Sequence, residues 1–111
     1  MNDSNFKIPA EEIKDLIKPM GFGLVSNKIT VDGMKVGFMY REKIFEKDDS
    51  GWRFLSGTET QAYLDDPKTA KILDVNTVAN YDKAIIPYLH RPVGSELERV
   101  DGSDEFCDLV E

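Results

Sequence analysis

The chain of 111 residues contains one cysteine, Cys107, and one histidine, His90, which closes several chemistries to it. A single thiol allows no intramolecular disulfide. One histidine and one cysteine do not make the usual zinc sets, which draw three or four ligands mainly from those two residue types. A Ser-His-Asp relay would have to use His90, and no Gly-x-Ser-x-Gly turn is present to display a nucleophile. His90 precedes Arg91-Pro92 and reads as the exit of a helical piece, where an imidazole meets terminal carbonyls. Cys107 lies among acids that disfavour its thiolate, so it reads as a packing or exposed residue. Neither an 18-residue apolar run nor a basic start followed by an apolar stretch occurs, so a cytoplasmic protein without membrane contact is expected.

Positive charge is also scarce. Fourteen Lys and Arg stand against 21 Asp and Glu, a net charge of −7. Phosphate backbones are held by cationic side chains, so nucleic-acid binding is disfavoured and a basic protein partner is favoured. Residues 101–111, DGSDEFCDLVE, carry acids and no base, the signature of a solvated tail. Gly21-Phe22-Gly23 lacks the further glycines and the lysine of a phosphate-cradling loop and reads as a helix stop.

What is present is enough for one core. Hydrophobic residues make up 41% of the chain, with six Phe, four Tyr and one Trp. A domain of this size removes roughly 65% of its unfolded surface from water. A single domain over 1–111 is expected, with an N-terminal helix in 1–22, a core over 23–100 and the acidic tail after it.

IPAEEIKDLIKPMG has Ile13, Leu16 and Ile17 at helical spacing, acids in its first turn, and Pro19 with Gly21 to stop it. It predicts an amphipathic helix docked by that face on a sheet. Asp32-Gly33 between two runs rich in β-branched and aromatic residues predicts a hairpin with strands at about 23–31 and 34–42. In the second strand, alternation turns Met34, Val36, Phe38 and Tyr40 to the core and Lys35, Gly37, Met39 and Arg41 away from it.

KDDSG then reads as a polar turn and WRFLSG as a third strand, Trp52 and Phe54 inward, Arg53 and Leu55 outward. Ser56 or Thr58 can cap a helix over about 59–65, with Thr58-Glu59-Thr60-Gln61 fitting a capping box, and Asp66-Pro67 closes it. A short strand at 72–75, a turn or short helix at 76–80, a helical piece at 82–88 and a strand at 96–100 complete the reading. Irregular alternation with hairpins predicts an α+β fold on an antiparallel sheet with short helices packed on it. An exposed edge of so small a sheet leaves monomer and homodimer both open.

Two polar groups invite functional readings. Asn76 and Asn80, four apart on one helical face and followed by Tyr81-Asp82, suit the tethering of a loop by side-chain to backbone bonds, ahead of a ligand site. The carboxylates of Asp48, Asp49, Glu59, Asp65 and Asp66 serve turns and caps more simply than they serve a magnesium or calcium ion, and their spacing matches no calcium loop. Trp52 reads as core ahead of an exposed contact anchor, and Arg53 as its outward neighbour beside Asp48 or Asp49. No catalytic set, metal set or cofactor motif is expected.

The segments VSNKITVDGMKVGFMYRE, DSGWRFLSGTE, NTVANYD and VGSELER, in that order over about residues 24–100, resemble the bacterial immunity protein 33 family, formerly a domain of unknown function. DSGWRF followed by Ser-Gly and an acid is the most distinctive part, through Asp49, Ser50, Gly51, Trp52, Arg53, Phe54, Gly57 and Glu59. The resemblance implies a small, non-catalytic cytoplasmic protein of polymorphic toxin systems that binds a toxin and neutralises it. Together with the charge it leads to an expected partner surface of Asp48, Asp49, Arg53, Glu59, Asp65 and Asp66 facing a basic toxin. Ser50, Gly51, Trp52, Phe54, Gly57, Asn80 and Tyr81 are expected to build the fold. The alternative is a small ligand-binding or divalent-metal-binding domain, or a hydrolase, using the carboxylates near 48–66.

Overall fold

Ser26 ends the first strand and starts a helical turn, and this local choice sets the topology. In the computed structural model, which describes residues 6–109, β1 (Phe22–Ser26) runs directly into α1 (Asn27–Thr30), with the Ser26 hydroxyl accepting the Lys28 N–H as an N-cap. Gly33, at φ 78°, then reverses the chain by donating to Ile29 O while Met34 N–H donates to Lys28 O. The Asp32-Gly33 signal is therefore a helix stop and not a hairpin turn. Both structures need a residue with φ > 0, and the cap at Ser26 is what separates them.

The predicted hairpin is accordingly absent. β1 pairs in parallel with β3 (Asp49–Leu55) and antiparallel with β4 (Ala70–Asp74), while β2 (Phe38–Arg41) pairs antiparallel with β3 and with β5 (Glu96–Arg99). β6 (Phe106–Asp108) closes the far side, giving the order β4-β1-β3-β2-β5-β6. The fold class is α+β, on a sheet that is antiparallel except at the β1/β3 pair. That parallel pair is possible because β2 comes between β1 and β3 in the chain, which supplies the crossover such a pair requires.

The facing predicted for the second strand is also corrected. Only Phe38–Arg41 is extended in the sheet, and Gly37 joins it by donating to Leu55 O and accepting from Arg99 N–H. Val36 is buried as predicted, but the phase is lost before Phe38, so Met39 faces the core while Phe38 and Tyr40 lie on the opposite face. Met34 is exposed. In β3 the alternation holds, with Trp52 and Phe54 both fully buried and their rings stacked at 6.1 Å. The Trp52 indole N–H donates to Leu89 O at 3.1 Å, which satisfies the one polar group this large side chain carries inward.

α2 (Gln61–Asp65) begins at Thr60, whose hydroxyl accepts from Tyr63 N–H, and ends at extended Asp66 before Pro67. Glu59 instead reaches back to the N–H groups of Ser56 and Gly57 and ties the turn before the helix, so the Thr58–Gln61 box does not form and Thr60 is the cap. Asp74 caps α3 (Val75–Tyr81), which lays Val75, Val78 and Ala79 on the sheet at helical spacing, and Asp82 starts a 3-10 segment, Lys83–Tyr88, that buries Ile85.

The N-terminal helix reduces to a 3-10 turn at Ala10–Glu12, after which Ile13 is extended. Side chains of α3 take the hydrogen bonds a helix would need. Asn76 Oδ1 accepts from Leu16 and Ile17 N–H at 2.7 and 3.2 Å, Asn80 Oδ1 accepts from Lys14 N–H, and both amides donate to Lys14 O. Tyr81 Oη accepts from Ile8 N–H. Leu16 and Ile17 still pack against the core, now from an irregular strap. A ten-residue helix is marginal without tertiary support, and here the tertiary bonds favour the alternative. The tail is likewise more than solvated chain, since β6 pairs with β5 and buries Phe106. Among the described residues, no helix is long and apolar enough to cross a membrane.

Candidate partner-binding surface

All the longer helical pieces bury apolar residues in the core, and the face of the sheet opposite Trp52 and Met39 is left partly open. Residues paired across neighbouring strands share a face, so the register sets out its rows. One row runs Ile72, Leu24, Arg53, Tyr40, Glu96, and the next runs Leu55, Phe38, Glu98, Cys107. At the β4 end, α2 and the turn after it bring Tyr63, Leu64 and Pro67 over Leu24, Leu55 and Ile72, leaving a mainly apolar groove of about 360 Å³. Ile72 is 58% exposed at this edge. At the other end Phe38 and Tyr40 are half-buried, with ring centroids 5.6 Å apart, beside exposed Glu96 and Glu98.

Arg53 lies in the middle of that face yet is only 3% exposed, and Asp49 is 4% exposed. The guanidinium forms two parallel bonds to Asp49, Nη1 to Oδ1 and Nη2 to Oδ2, both at 2.9 Å, and its Nε donates to Glu42 Oε2 at 2.6 Å. Against the expectation that Arg53 stands at the surface, Glu42 and Asp49 enclose it. The reason is a bulge. Phe22 pairs with Asp49 and Leu24 with Arg53, so β3 spends two more residues than β1 over this span, at Ser50 and Gly51. Gly51 has φ 89°, and a Cβ on it would lie 2.5 Å from Glu42 O. Ser50 Oγ accepts from Trp52 N–H and Asp49 Oδ1 from Gly51 N–H, which fixes the bulge from both sides.

The same pair organises the loop between β2 and β3. Asp49 Oδ2 accepts from Phe45 N–H, Glu46 O from Asp49 N–H, and Asp48 O from Phe22 N–H. The loop thereby presents Ile44 at 47% exposure and Phe45 at 64%, the Phe45 ring meeting Phe22 edge-on at 6.1 Å.

Electrostatics follow the geometry. The Arg53 hydrogen bonds, opposed by burial and helped by Gly51 and Phe45 N–H, lower the Asp49 carboxyl from 3.8 to about 2. Arg53 is correspondingly raised, first by Asp49. Burial, and then the Glu42 charge, raise the Tyr40 phenol. At Glu59 burial pushes upward, but hydrogen bonds from Ser26 and Ser56 prevail and its carboxyl is lowered.

The six residues expected to form the partner surface thus divide. Asp48, Asp65 and Asp66 are exposed; Asp49 and Arg53 are consumed in the buried pair; Glu59 is half-buried and ties the Ser56-Gly57 turn. Asp66 Oδ1 also caps Pro67–Thr69 by accepting from Lys68 N–H. Among the described residues no three His, Cys, Asp or Glu side chains gather to hold a metal ion.

Sequence reasoning missed Glu42, whose link to Arg53 is non-local, and the open-face residues Phe38, Tyr40, Glu96 and Glu98. It also missed two arginine ties. Arg41 lies over Trp52 and donates to Ser50 O and Arg91 O, while Arg99 pairs with Asp82, whose carboxylate also accepts Val36 N–H. Ile44-Phe45 next to KDD was a legible signal, an apolar pair inside a charged turn.

Comparison with known proteins adds one positive result. No curated protein and no solved structure matches the chain. The model of the immunity protein Imm33 domain matches residues 23–110, from the second residue of β1 through β6, and so covers the surface described above except Phe22. The chain belongs to the immunity protein Imm33 domain family.

Proposed function

We propose that this chain protects a bacterial cell by binding a toxin protein and covering the groups with which the toxin acts, using no chemistry or cofactor of its own. On this reading it works in the cytoplasm, as a monomer or a homodimer. Family membership supplies the class of partner, and the loop over 42–48 carries the mode of action. Ile44 and Phe45 project from a loop whose backbone is fixed by Asp49 and, through Glu42, by Arg53. Exposed apolar side chains on a pre-ordered loop lose little entropy on binding, which is what an interface anchor requires.

Exposed Asp48 beside the loop, Asp65 and Asp66 on the neighbouring α2, and the net charge of −7 support a basic toxin as partner. Opposite charge speeds encounter and orients the approach. The ionisable groups that are buried favour binding over catalysis, because Asp49 and Arg53 occupy each other and Asp82 is held by the part-buried Arg99.

The test begins with the chain as bait in a lysate of the cells that make it. A retained protein is then induced alone in a naive host, and again together with this chain. Growth arrest by the retained protein, relieved by co-expression, is expected. A retained protein that is harmless alone, or arrest that co-expression leaves untouched, would sink the proposal.

A further inference from the structure

Phe38 and Tyr40 face away from the core, and neither α1, α3 nor the Lys83–Tyr88 segment reaches their side of the sheet; α2 covers only the β1/β4 end. Their cross-strand neighbours are Glu98 and Glu96. Both glutamates are exposed, and neither carboxylate is paired with a cation among the described residues. Glu42, at the edge of Tyr40, is bound to Arg53. Arg41 and Lys43 line the adjoining cleft with Tyr40, Glu42 and Glu96, two bases against two acids, and Arg41 is turned to Ser50 O and Arg91 O.

Two aromatic rings with a carboxylate beside each have a definite ligand chemistry. An ammonium or guanidinium gains from the negative ring face and from the carboxylate together, and the alkyl stem of Lys or Arg packs on the rings. A neutral or acidic segment gains neither. A second copy of this chain would bring the same glutamates and another net −7, so charge opposes self-association through this face.

We propose that the Phe38, Tyr40, Glu96 and Glu98 face docks a Lys- or Arg-bearing segment of the protein partner. The assignment of that partner as a toxin rests on the function proposed above; the face and its chemistry do not. The cationic heads reach Glu96 and Glu98 while their stems lie on the two rings, so the surface selects a basic segment with closely spaced charges.

The experiment uses the full chain labelled with nitrogen-15 and titrated with a synthetic lysine-rich peptide, against a control peptide with glutamate in place of each lysine. Amide shifts concentrated on Phe38, Tyr40, Glu96 and Glu98 are expected for the lysine peptide only. In E96Q/E98Q, two exposed substitutions that leave the core untouched, affinity should fall by about tenfold, the worth of two exposed ion pairs. Absence of binding, shifts confined to the acidic 101–109 segment, or unchanged affinity in the double variant overturns the proposal. With a toxin in hand, growth protection retained in full by E96K/E98K overturns this face and leaves the immunity reading standing. Protection missing from the native chain overturns that reading instead.

Discussion

Asp49 and Arg53 meet through two bonds of 2.9 Å although they stand four residues apart in one strand. In a regular strand that separation is about 13 Å between Cα atoms, too far for a bidentate contact by short Asp and a guanidinium that must also reach Glu42. The two side chains already share a face of the strand, and the Ser50-Gly51 bulge shortens the path between them. The DSGWRF segment therefore encodes a single device: an acid, a two-residue bulge, a core tryptophan and the base that returns to the acid.

Breaking this pair should be costly. R53M leaves Asp49 charged and buried without its partner, and a loss of about 3 kcal/mol in urea unfolding is expected, the usual scale for half of a buried pair. D49N should cost a similar amount, and the double variant D49N/R53M clearly less than the sum. Additive losses would mean that the two residues act independently, contrary to their geometry.

The pair also makes stability depend on pH in a defined window. Asp49 titrates at about 2 in the folded chain against 3.8 ordinarily, so between these values the unfolded state binds the extra proton. Stability from this group is complete above about pH 4 and is lost as pH falls through about 2, an amount of about 2 kcal/mol. Urea unfolding of the native chain and D49N from pH 6 to pH 2 should show their difference shrinking by about that amount. A constant difference would assign the lowered carboxyl to another group.

Gly51 is the hinge of the device. Its φ of 89° and the 2.5 Å approach of Glu42 O leave no room for a methyl group. G51A should lose at least about 2 kcal/mol, from backbone strain and the displaced Glu42 strand end together. Because Glu42 also holds Arg53, amide exchange in residues 42–48 should quicken in this variant more than exchange in β5.

The irregular strap over residues 13–17 depends on α3. Asn76 gives its carbonyl oxygen to Leu16 and Ile17 and its amide to Lys14 O, so N76A removes three bonds and leaves backbone groups unpaired. A loss of about 2 kcal/mol is expected. Trypsin should cut after Lys14 well before the rest of the domain, whereas uniform digestion would show the strap is held mainly by Leu16 and Ile17.

How much of this was written in the sequence varies with the range of the interactions. Elements set by local chemistry were legible: the alternation of Trp52 and Phe54, the Asp66-Pro67 stop and the strand over 96–99; the piece after Asp74, open between a turn and a short helix, is helical. The Asn76/Asn80 pairing with a loop was legible as a type of bond, but not its target, which lies about 60 residues away in the chain. Asp32-Gly33 misled because a hairpin and a helix stop make the same demand on φ. Once that turn was misread, the parity of Phe38–Arg41 and the parallel β1/β3 pair were out of reach, and with them the open face. Arg53 was placed on the correct side of its strand, but enclosure by Glu42 depends on the bulge, which alternation does not reveal.

Phe45 separates binding from folding. Its ring is 64% exposed and its backbone N–H, which anchors the loop to Asp49, survives truncation of the side chain. F45A should therefore unfold within about 0.5 kcal/mol of the native chain, as surface substitutions do. Affinity for the toxin, measured by calorimetry once the toxin is identified, should fall by at least about tenfold, the threshold of a substantial anchor. I44A, at 47% exposure, should lose less. If F45A binds as tightly as the native chain while E96K/E98K does not, the contact lies on the sheet face and the loop is a bystander. If both fail, one partner spans the loop and the face, which the Glu42–Arg53 contact joins.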